Sequence, residues 1–168
     1  MPKQFSLRLM LAVVTVLCIT LTVWVIPSQR QRQAVNAIRA DGGEVFYVSR
    51  TFLTRWLPQD YVDDVELVLL RRTRVTGDTL ARLKSLPRLH ILWLDGALIT
   101  DAELVHLEGL TDLKQLSLEY TPITDAGLAH VHALTNLQRL WLFDSKVTDE
   151  GIARLRKALP NCKISSSP

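Results

Sequence analysis

The stretch LKQLSLEYTPITDAGLAHVHALTN, residues 113–136, combines two kinds of apolar spacing. Its first part, LKQLSLEY, alternates apolar and polar residues, which is typical of a strand with one buried face. After the polar residue Thr124, apolar residues recur three apart from Leu128 to Leu134, a spacing that suits one face of a short helix. The stretch therefore predicts one strand followed by one short helix.

The same pattern occurs four times in phase, at a spacing of 24 residues. The four units are VELVLLRRTRVTGDTLARLKSLPR (65–88), LHILWLDGALITDAELVHLEGLTD (89–112), LKQLSLEYTPITDAGLAHVHALTN (113–136) and LQRLWLFDSKVTDEGIARLRKALPN (137–161), the last with one extra residue. One strand and one helix cannot bury their apolar faces alone, whereas stacked copies share a continuous core. The repeat over residues 65–161 therefore predicts an α/β solenoid with a curved parallel sheet inside and short helices outside.

The units resemble the leucine-rich repeat family in its short, ribonuclease-inhibitor-like α/β form. The LxxLxL strand and the TDxGLxxL-type helix start carry the resemblance over residues 65–164, and they are similar to repeats of many bacterial membrane-anchored proteins. The resemblance implies a protein-binding role. Position 9 of each unit, where the family commonly has Asn or Cys, holds Thr73, Ala97, Thr121 or Ser145. The hydrogen bonds that Asn supplies at this turn are expected to come from hydroxyls, which Ala97 lacks.

A hydroxyl, a carboxylate and an imidazole recur together in the middle units, at Thr100, Asp101 and His106 and at Thr124, Asp125 and His130. These residue types also form nucleophile–acid–base sites in enzymes. Here they repeat at each helix start, where a Thr caps free amides, worth about 1 kcal/mol, and an Asp complements the helix dipole. The histidines fall between buried positions and are expected to face solvent. The motif predicts helix starts and not catalysis.

The run LMLAVVTVLCITLTVWVI, Leu9–Ile26, carries no charge and is long enough to cross most of a bilayer core. A cleavable signal usually has a shorter apolar region and a small-x-small site, and Val16 and Leu17 before Cys18 disfavour a lipoprotein signal. The run therefore predicts an uncleaved, single-pass transmembrane helix over residues 9–26. The shortness of the basic tail, residues 1–8, favours an extracytoplasmic domain, although basic residues are nearly balanced across the run.

The ends of a four-unit solenoid need covers. Residues 27–64 are predicted to supply the first: SQRQRQAVNAIRADGG as a helix ending at Gly42–Gly43, EVFYV as a strand, and TFLTRWL as a short helix stopped by Pro58. The aromatic residues of this segment are expected to pack within the cover; they are Phe46, Phe52, Trp56 and Tyr61. At the other end, residues 162–168 predict a truncated fifth strand and a tail. Cys162 is expected there as a small buried hydrophobic residue.

Motifs for catalysis and cofactor binding are not found in the 168 residues. There is no glycine-rich phosphate loop, no GxSxG, no HExxH and no Cys/His cluster with zinc spacing. The net charge of +3 is weak evidence for nucleic acid, because part of it flanks the apolar run. We therefore expect no enzyme activity, no metal or cofactor, no nucleic-acid partner and no small-molecule substrate.

The inner face of the predicted sheet displays positions 3, 5 and 7 of each unit, with position 8 at its rim. Position 5 brings Trp93 and Trp141 about 10 Å apart across Ser117, because neighbouring strands lie about 4.8 Å apart. An exposed apolar patch rimmed by charges is typical of a binding surface. The candidate partner-binding residues are Trp93, Trp141, Phe143, Tyr120, Ile91, Arg139, Glu119 and Asp95. Alternatively, the tryptophans only cover one another and the strand edges.

Two functional hypotheses follow from these features. The first is a membrane-anchored leucine-rich repeat domain that binds an unidentified protein through its inner sheet face. The second is a structural membrane-surface protein, whose basic flank and first unit, with Arg71, Arg72 and Arg74, contact acidic lipid headgroups.

Overall fold

The computed structural model describes residues 7–20, 26–48 and 64–166. Its helices are α1 (Leu7–Thr20), α2 (Ile26–Ala40), α3 (Gly77–Arg82), α4 (Asp125–Val131) and α5 (Asp149–Ala158). Its strands are β1 (Glu44–Val48), β2 (Asp64–Leu69), β3 (Ile91–Trp93), β4 (Gln115–Ser117), β5 (Arg139–Trp141) and β6 (Lys163–Ser165). Two 3₁₀ segments complete the elements: Leu83–Ser85 continues α3, and Asp101–Leu107 replaces the short helix expected in the second unit.

The six strands form one sheet in the order in which they occur along the chain. Strands β2 to β6 are parallel, and each residue pairs with the residue 24 positions later; one such row joins Leu67, Ile91, Gln115, Arg139 and Lys163. The predicted parallel sheet of an α/β repeat fold is therefore confirmed.

Leucine, isoleucine and valine side chains of the units fill a continuous core between the sheet and the outer helices. In the third unit, seven apolar positions are no more than 1% exposed: Leu113, Leu116, Leu118, Ile123, Leu128, Val131 and Leu134. Truncating one such leucine to alanine typically costs about 2–5 kcal/mol. The stacking of units therefore supplies the burial that a single unit lacks.

The first cover of the solenoid is built by α2 and β1. Helix α2 buries Ala34, Val35 and Ile38, and the chain then turns at Gly42, whose φ of +82° suits glycine. Strand β1 pairs antiparallel with β2. The helix and the strand predicted here are both present. The predicted helix TFLTRWL, with Phe52 and Trp56, and the later residue Tyr61 lie outside the described residues.

Phe46 does not pack within the cover as predicted, since 47% of its surface is exposed. Side chains alternate between the two faces of a strand. In β1 it is Val45 and Tyr47 that pack against the core, so Phe46 faces the opposite side.

Helix α1 covers 14 residues of the apolar run and its approach. The side chains described in it are exposed, among them Val13, Val14, Val16, Leu17 and Ile19 at 46–59%. Ile26, the last residue of the run, is the first residue of α2, and residues 21–25 lie outside the described part of the chain. Within residues 7–20, 26–48 and 64–166, no helix combines the length and apolar character needed to cross a membrane.

The C-terminal end follows the predicted pattern. Cys162 is 9% exposed, and burial raises the pKa of its thiol to about 11. Its backbone N–H donates to Leu159, as that of Leu137 donates to Leu134 one unit earlier. Ile164 nevertheless pairs with Leu140, so the strand begins one residue sooner after Cys162. The extra residue of the fourth unit is absorbed in this way.

The Thr–Asp motif caps helices and also joins consecutive units. The hydroxyl oxygens of Thr76, Thr124 and Thr148 accept hydrogen bonds from amides of the first turn, at 3.1–3.2 Å, as predicted. In addition, the Asp101 carboxylate accepts from the backbone N–H of Thr124 at 2.8 Å and from its hydroxyl at 2.6 Å. Asp125 holds Thr148 in the same way. We call this contact the Asp–Thr link.

The threonines at position 12 of the first two units have no Asp–Thr link to an earlier unit. Other carboxylates contact these two units at the same place. Asp41 of the cover accepts from the Thr79 hydroxyl at 2.6 Å, next to Thr76. Because Gly77 stands at position 13 of the first unit, Thr100 has no such partner. The carboxylate of Glu103, at position 15 of the same unit as Thr100, instead accepts from the Thr100 backbone N–H and hydroxyl, at 2.5 and 2.7 Å.

Position 15 is coupled to position 13 of the preceding unit. Gly127 and Gly151 occupy position 15 where the preceding unit has Asp, and a Cβ at either glycine would overlap a carboxylate oxygen of Asp101 or Asp125. Where the preceding unit has Gly77, position 15 holds Glu103 instead. The two positions together therefore supply one carboxylate to each threonine.

The histidines of the motif are half-buried and do not face solvent freely as predicted. His130 is 29% exposed and its Nδ1 lies 2.7 Å from Glu108 Oε1 of the preceding unit. The His106 ring lies beside Gly77. The outer helices pack closely enough that position 18 reaches the neighbouring unit, which the spacing within one unit does not reveal.

Candidate binding surface on the inner sheet face

Each unit turns sharply at position 8, where the sheet meets its rim. The four residues there have φ values of 52–63°; they are Arg72, Gly96, Tyr120 and Asp144. Only Gly96 adopts this left-handed conformation without steric cost. The turn is completed at position 9, where the Thr121 and Ser145 hydroxyls donate to the carbonyl oxygens of Leu118 and Leu142 at 2.7 and 2.8 Å, as predicted. Thr73, by contrast, has a buried hydroxyl without a partner.

Strand pairing places Trp93, Ser117 and Trp141 side by side in one row of the inner face. Both tryptophans are half-buried, and Ser117 between them is 4% exposed. The row therefore has two large aromatic walls and a small floor.

Arg71 packs over Trp93, the first of the two tryptophans. Its guanidinium carbon lies 5.5 Å from the centre of the Trp93 ring, within range of a cation–π interaction. Its Nε lies 2.9 Å from Asp95 Oδ2. Asp95 is only 8% exposed, and its other oxygen, Oδ1, has no hydrogen-bond partner. The indole N–H of Trp93 is likewise buried without an acceptor.

Glu119 lies beside this group. Partial burial, the nearby Asp95 carboxylate and, more weakly, Asp144 raise the pKa of Glu119, and Arg71 opposes the rise. Within the described part of the chain, no hydrogen bond or ion pair reaches the Glu119 carboxylate. Asp95 and Glu119 therefore both lie near Arg71, which is paired only with Asp95.

These side chains enclose a hollow of about 290 Å³, which we call the slot. It is lined by Arg71, Trp93, Asp95, Ser117, Glu119 and Trp141. A second hollow of about 420 Å³ lies at the rim and is lined by Arg71, Arg72, Asp95, Gly96, Glu119 and Tyr120. A third, of about 220 Å³, is lined by Arg139, Trp141, Lys163 and Ser165.

The candidate residues from the sequence are divided among these hollows. Trp93, Trp141, Asp95 and Glu119 meet in the slot, Tyr120 lines the rim hollow, and Arg139 lines the third. Phe143 and Ile91 line none of the three. Arg71, which the sequence places both in the basic cluster for lipids and at position 7 of the inner face, is a wall of the slot. It was not among the candidate binding residues, although the strand pairing sets position 7 of one unit beside positions 5 and 7 of the next.

Within residues 7–20, 26–48 and 64–166, no group of three or more His, Cys, Asp or Glu side chains is arranged to hold an ion. What the surface offers is aromatic area, paired and unpaired charges, and unsatisfied polar atoms.

No protein-family model matches the chain, and no curated protein matches it. Several solved structures are similar. The LRR protein LIC12759 of Leptospira interrogans is 25% identical over 51% of this chain and 21% of its own, with a TM-score of 0.42. Internalin C2 of Listeria monocytogenes is 29% identical over 52% of this chain and 38% of its own, with a TM-score of 0.42.

The LRR ectodomain of the receptor kinase SOBIR1 of Arabidopsis thaliana is 15% identical over 82% of this chain and 91% of its own, with a TM-score of 0.49. The alignment thus spans most of that ectodomain. Of the two bacterial structures, by contrast, this chain spans only 21% and 38% of the length.

Proposed function

We propose that this chain, a leucine-rich repeat solenoid, is a membrane-anchored interaction module that binds a protein partner through its inner sheet face. The observation that carries the proposal is the slot. Aromatic side chains are enriched among residues that dominate binding energy at protein interfaces, and here two tryptophans flank a small residue.

The anchor part of the proposal rests on the apolar run at residues 9–26. The exposed valine, leucine and isoleucine side chains of α1 suit a lipid environment better than water. We propose further that the solenoid lies on the extracytoplasmic side of a single-pass membrane protein. A topology fusion at the C-terminus tests this placement; a cytoplasmic reporter would contradict it.

Lipid binding by the first unit has less support. Arg71 is already engaged by Asp95 and Trp93, and Arg82 is paired with Asp78 at 2.8 Å. Of the three arginines expected to contact headgroups, Arg72 and Arg74 are exposed and not engaged in this way. These two attract an acidic surface weakly, at about 1 kcal/mol each.

The proposal is tested by affinity purification from native membranes with two double variants. Trp93→Ala/Trp141→Ala removes both walls of the slot, whereas Leu98→Ala/Val105→Ala removes two exposed apolar side chains that line none of the three hollows. A partner retained by the wild type and the control, and lost from the folded slot variant, is the expected result. Identical partner sets for all three proteins would contradict binding through this face.

A further inference from the structure

One half of the slot already holds a cation, supplied by the chain itself. The Arg71 guanidinium lies over the Trp93 ring at 5.5 Å, and its Nε contacts Asp95 Oδ2 at 2.9 Å. An indole face and a carboxylate therefore bind a guanidinium together at this place. The contact shows how a cation fits the slot.

The other half also has an indole and a carboxylate, in a different arrangement and without a cation. Trp141 stands at position 5 of its unit, as Trp93 does, and Glu119 occupies position 7 of the preceding unit, where Arg71 stands relative to Trp93. In the part of the chain that the structure describes, no cation lies over Trp141 and none is paired with Glu119. The basic residues Arg139 and Lys163 line the third hollow and not the slot.

Charge complementarity favours a cationic occupant. The slot contains one arginine and two carboxylates, those of Asp95 and Glu119, so it is one negative charge in excess. A cation above Trp141 would neutralise this excess and would donate to the Glu119 carboxylate, which no hydrogen bond or ion pair reaches among the described residues.

We propose that the slot receives an arginine side chain of the protein partner, its guanidinium lying against Trp141 and donating hydrogen bonds to the Glu119 carboxylate. Arginine fits better than lysine because its planar fork stacks on an aromatic face while donating in two directions. This inference rests on the proposed function for the identity of the partner, but the slot itself can be tested with a small probe.

The probes are three peptides that differ at one side chain: acetyl-Gly-Arg-Gly-amide, the same peptide with citrulline, and the same peptide with glutamate. Citrulline keeps the shape of arginine and removes its charge. The full-length chain in detergent micelles is titrated with each, and the indole N–H resonances are followed by NMR. Trp→Phe variants assign the resonances of Trp93 and Trp141.

The arginine peptide is expected to shift the Trp141 resonance saturably, with the citrulline peptide bound at least about tenfold more weakly and the glutamate peptide not bound. Glu119→Gln is expected to weaken arginine binding about tenfold. The matched control is Glu150→Gln, the same change at an exposed residue of α5 that lies outside the slot. Equal binding of arginine and citrulline, or equal losses for the two variants, overturns the inference.

Failure of this inference can be distinguished from failure of the proposed function. If a partner is retained through Trp93 and Trp141 but the arginine peptide neither binds nor displaces it, this inference is wrong and the proposed function stands. If the arginine peptide binds as described and no protein partner is retained, the slot is a cation site and the partner proposal is wrong.

Discussion

Asp125 binds Thr148 of the following unit through both carboxylate oxygens, one receiving the backbone N–H at 2.8 Å and the other the hydroxyl at 2.7 Å. Arg154 adds a third contact at 2.8 Å. The donors sit on the next unit, so this Asp–Thr link adds a polar connection between units to the shared apolar core. A helix-start motif thereby also fixes how one unit is placed on another.

The first prediction concerns the link itself. Asp125→Asn leaves one oxygen in place of two and removes the charge, so it is expected to lower the urea midpoint of unfolding. Asp149→Asn is the matched control, because Asp149 occupies the same position of the fourth unit and no threonine follows it in β6 or its approach. The control is expected to change stability by less than about 0.5 kcal/mol. Equal effects of the two variants would show that the link contributes nothing.

The link also predicts a pH dependence. The Thr148 backbone N–H, and after it the Thr148 hydroxyl, lower the pKa of Asp125 in the folded protein. A carboxyl with a lowered folded pKa stabilises the fold above its unfolded pKa, near 4, and loses this contribution as the pH falls through the folded value. The wild type should therefore lose more stability than Asp125→Asn between neutral pH and strongly acidic pH. Parallel curves of urea midpoint against pH would contradict the assignment.

The coupling between positions 13 and 15 predicts non-additive mutations. Gly127→Glu alone should destabilise the protein by about 1–3 kcal/mol, because its side chain would overlap Asp101. Asp101→Gly alone removes the carboxylate that binds Thr124. The double variant recreates the Gly77–Glu103 arrangement one unit later and should be more stable than either single variant. A double-mutant cycle by chemical unfolding measures this, and simple additivity would contradict it.

The rim offers a stabilising change. Tyr120 has a φ of 55°, which costs a non-glycine residue free energy, and 63% of its surface is exposed. Tyr120→Gly is expected to raise the free energy of unfolding by about 0.5–1 kcal/mol. Gly96→Ala, the reverse change at the same position of the second unit, should lower it by a similar or larger amount. Loss of stability in Tyr120→Gly would show that packing of the ring outweighs backbone strain.

Glu119 is predicted to lower stability while serving binding. Because desolvation and Asp95 raise its pKa in the folded protein, its ionised form destabilises the fold above that pKa. Glu119→Gln should therefore unfold at a higher urea concentration than the wild type at pH 7. The difference should disappear in acid, where both side chains are neutral. A variant less stable than the wild type at pH 7 would contradict the role given to this carboxylate.

Much of the fold follows from the 24-residue spacing, because a stacked unit must pair each strand residue with its equivalent in the next unit. That rule alone places Trp93, Ser117 and Trp141 in one row, and the strand pairing agrees with it. What the spacing leaves open is side-chain direction. The stacking of Arg71 on Trp93 and the exposure of Phe46 depend on how neighbouring side chains share space.

The 24-residue spacing also does not predict which side chains contact each other between units. A helix start looks the same in sequence whether its Asp only faces a helix dipole or also binds a threonine of the next unit. The contact between Asp and threonine can be inferred only from Gly127 and Gly151, because the absence of a side chain at these positions leaves room for the Asp carboxylate of the preceding unit. The half-buried histidines were missed for the same reason, since position 18 meets a neighbour that one unit does not contain.

The pairing of positions 13 and 15 determines which repeat units can follow one another when units are added to the solenoid. The third unit, residues 113–136, carries Asp125 for the unit after it and Gly127 for the unit before it, so tandem duplicates of this segment fit one another end to end. A copy of the second unit placed after it would bring Glu103 against Asp125, with a steric overlap and two like charges. Growth and shuffling of the array are therefore directional: some segments can be multiplied, and others fit only behind a unit that has glycine at position 13.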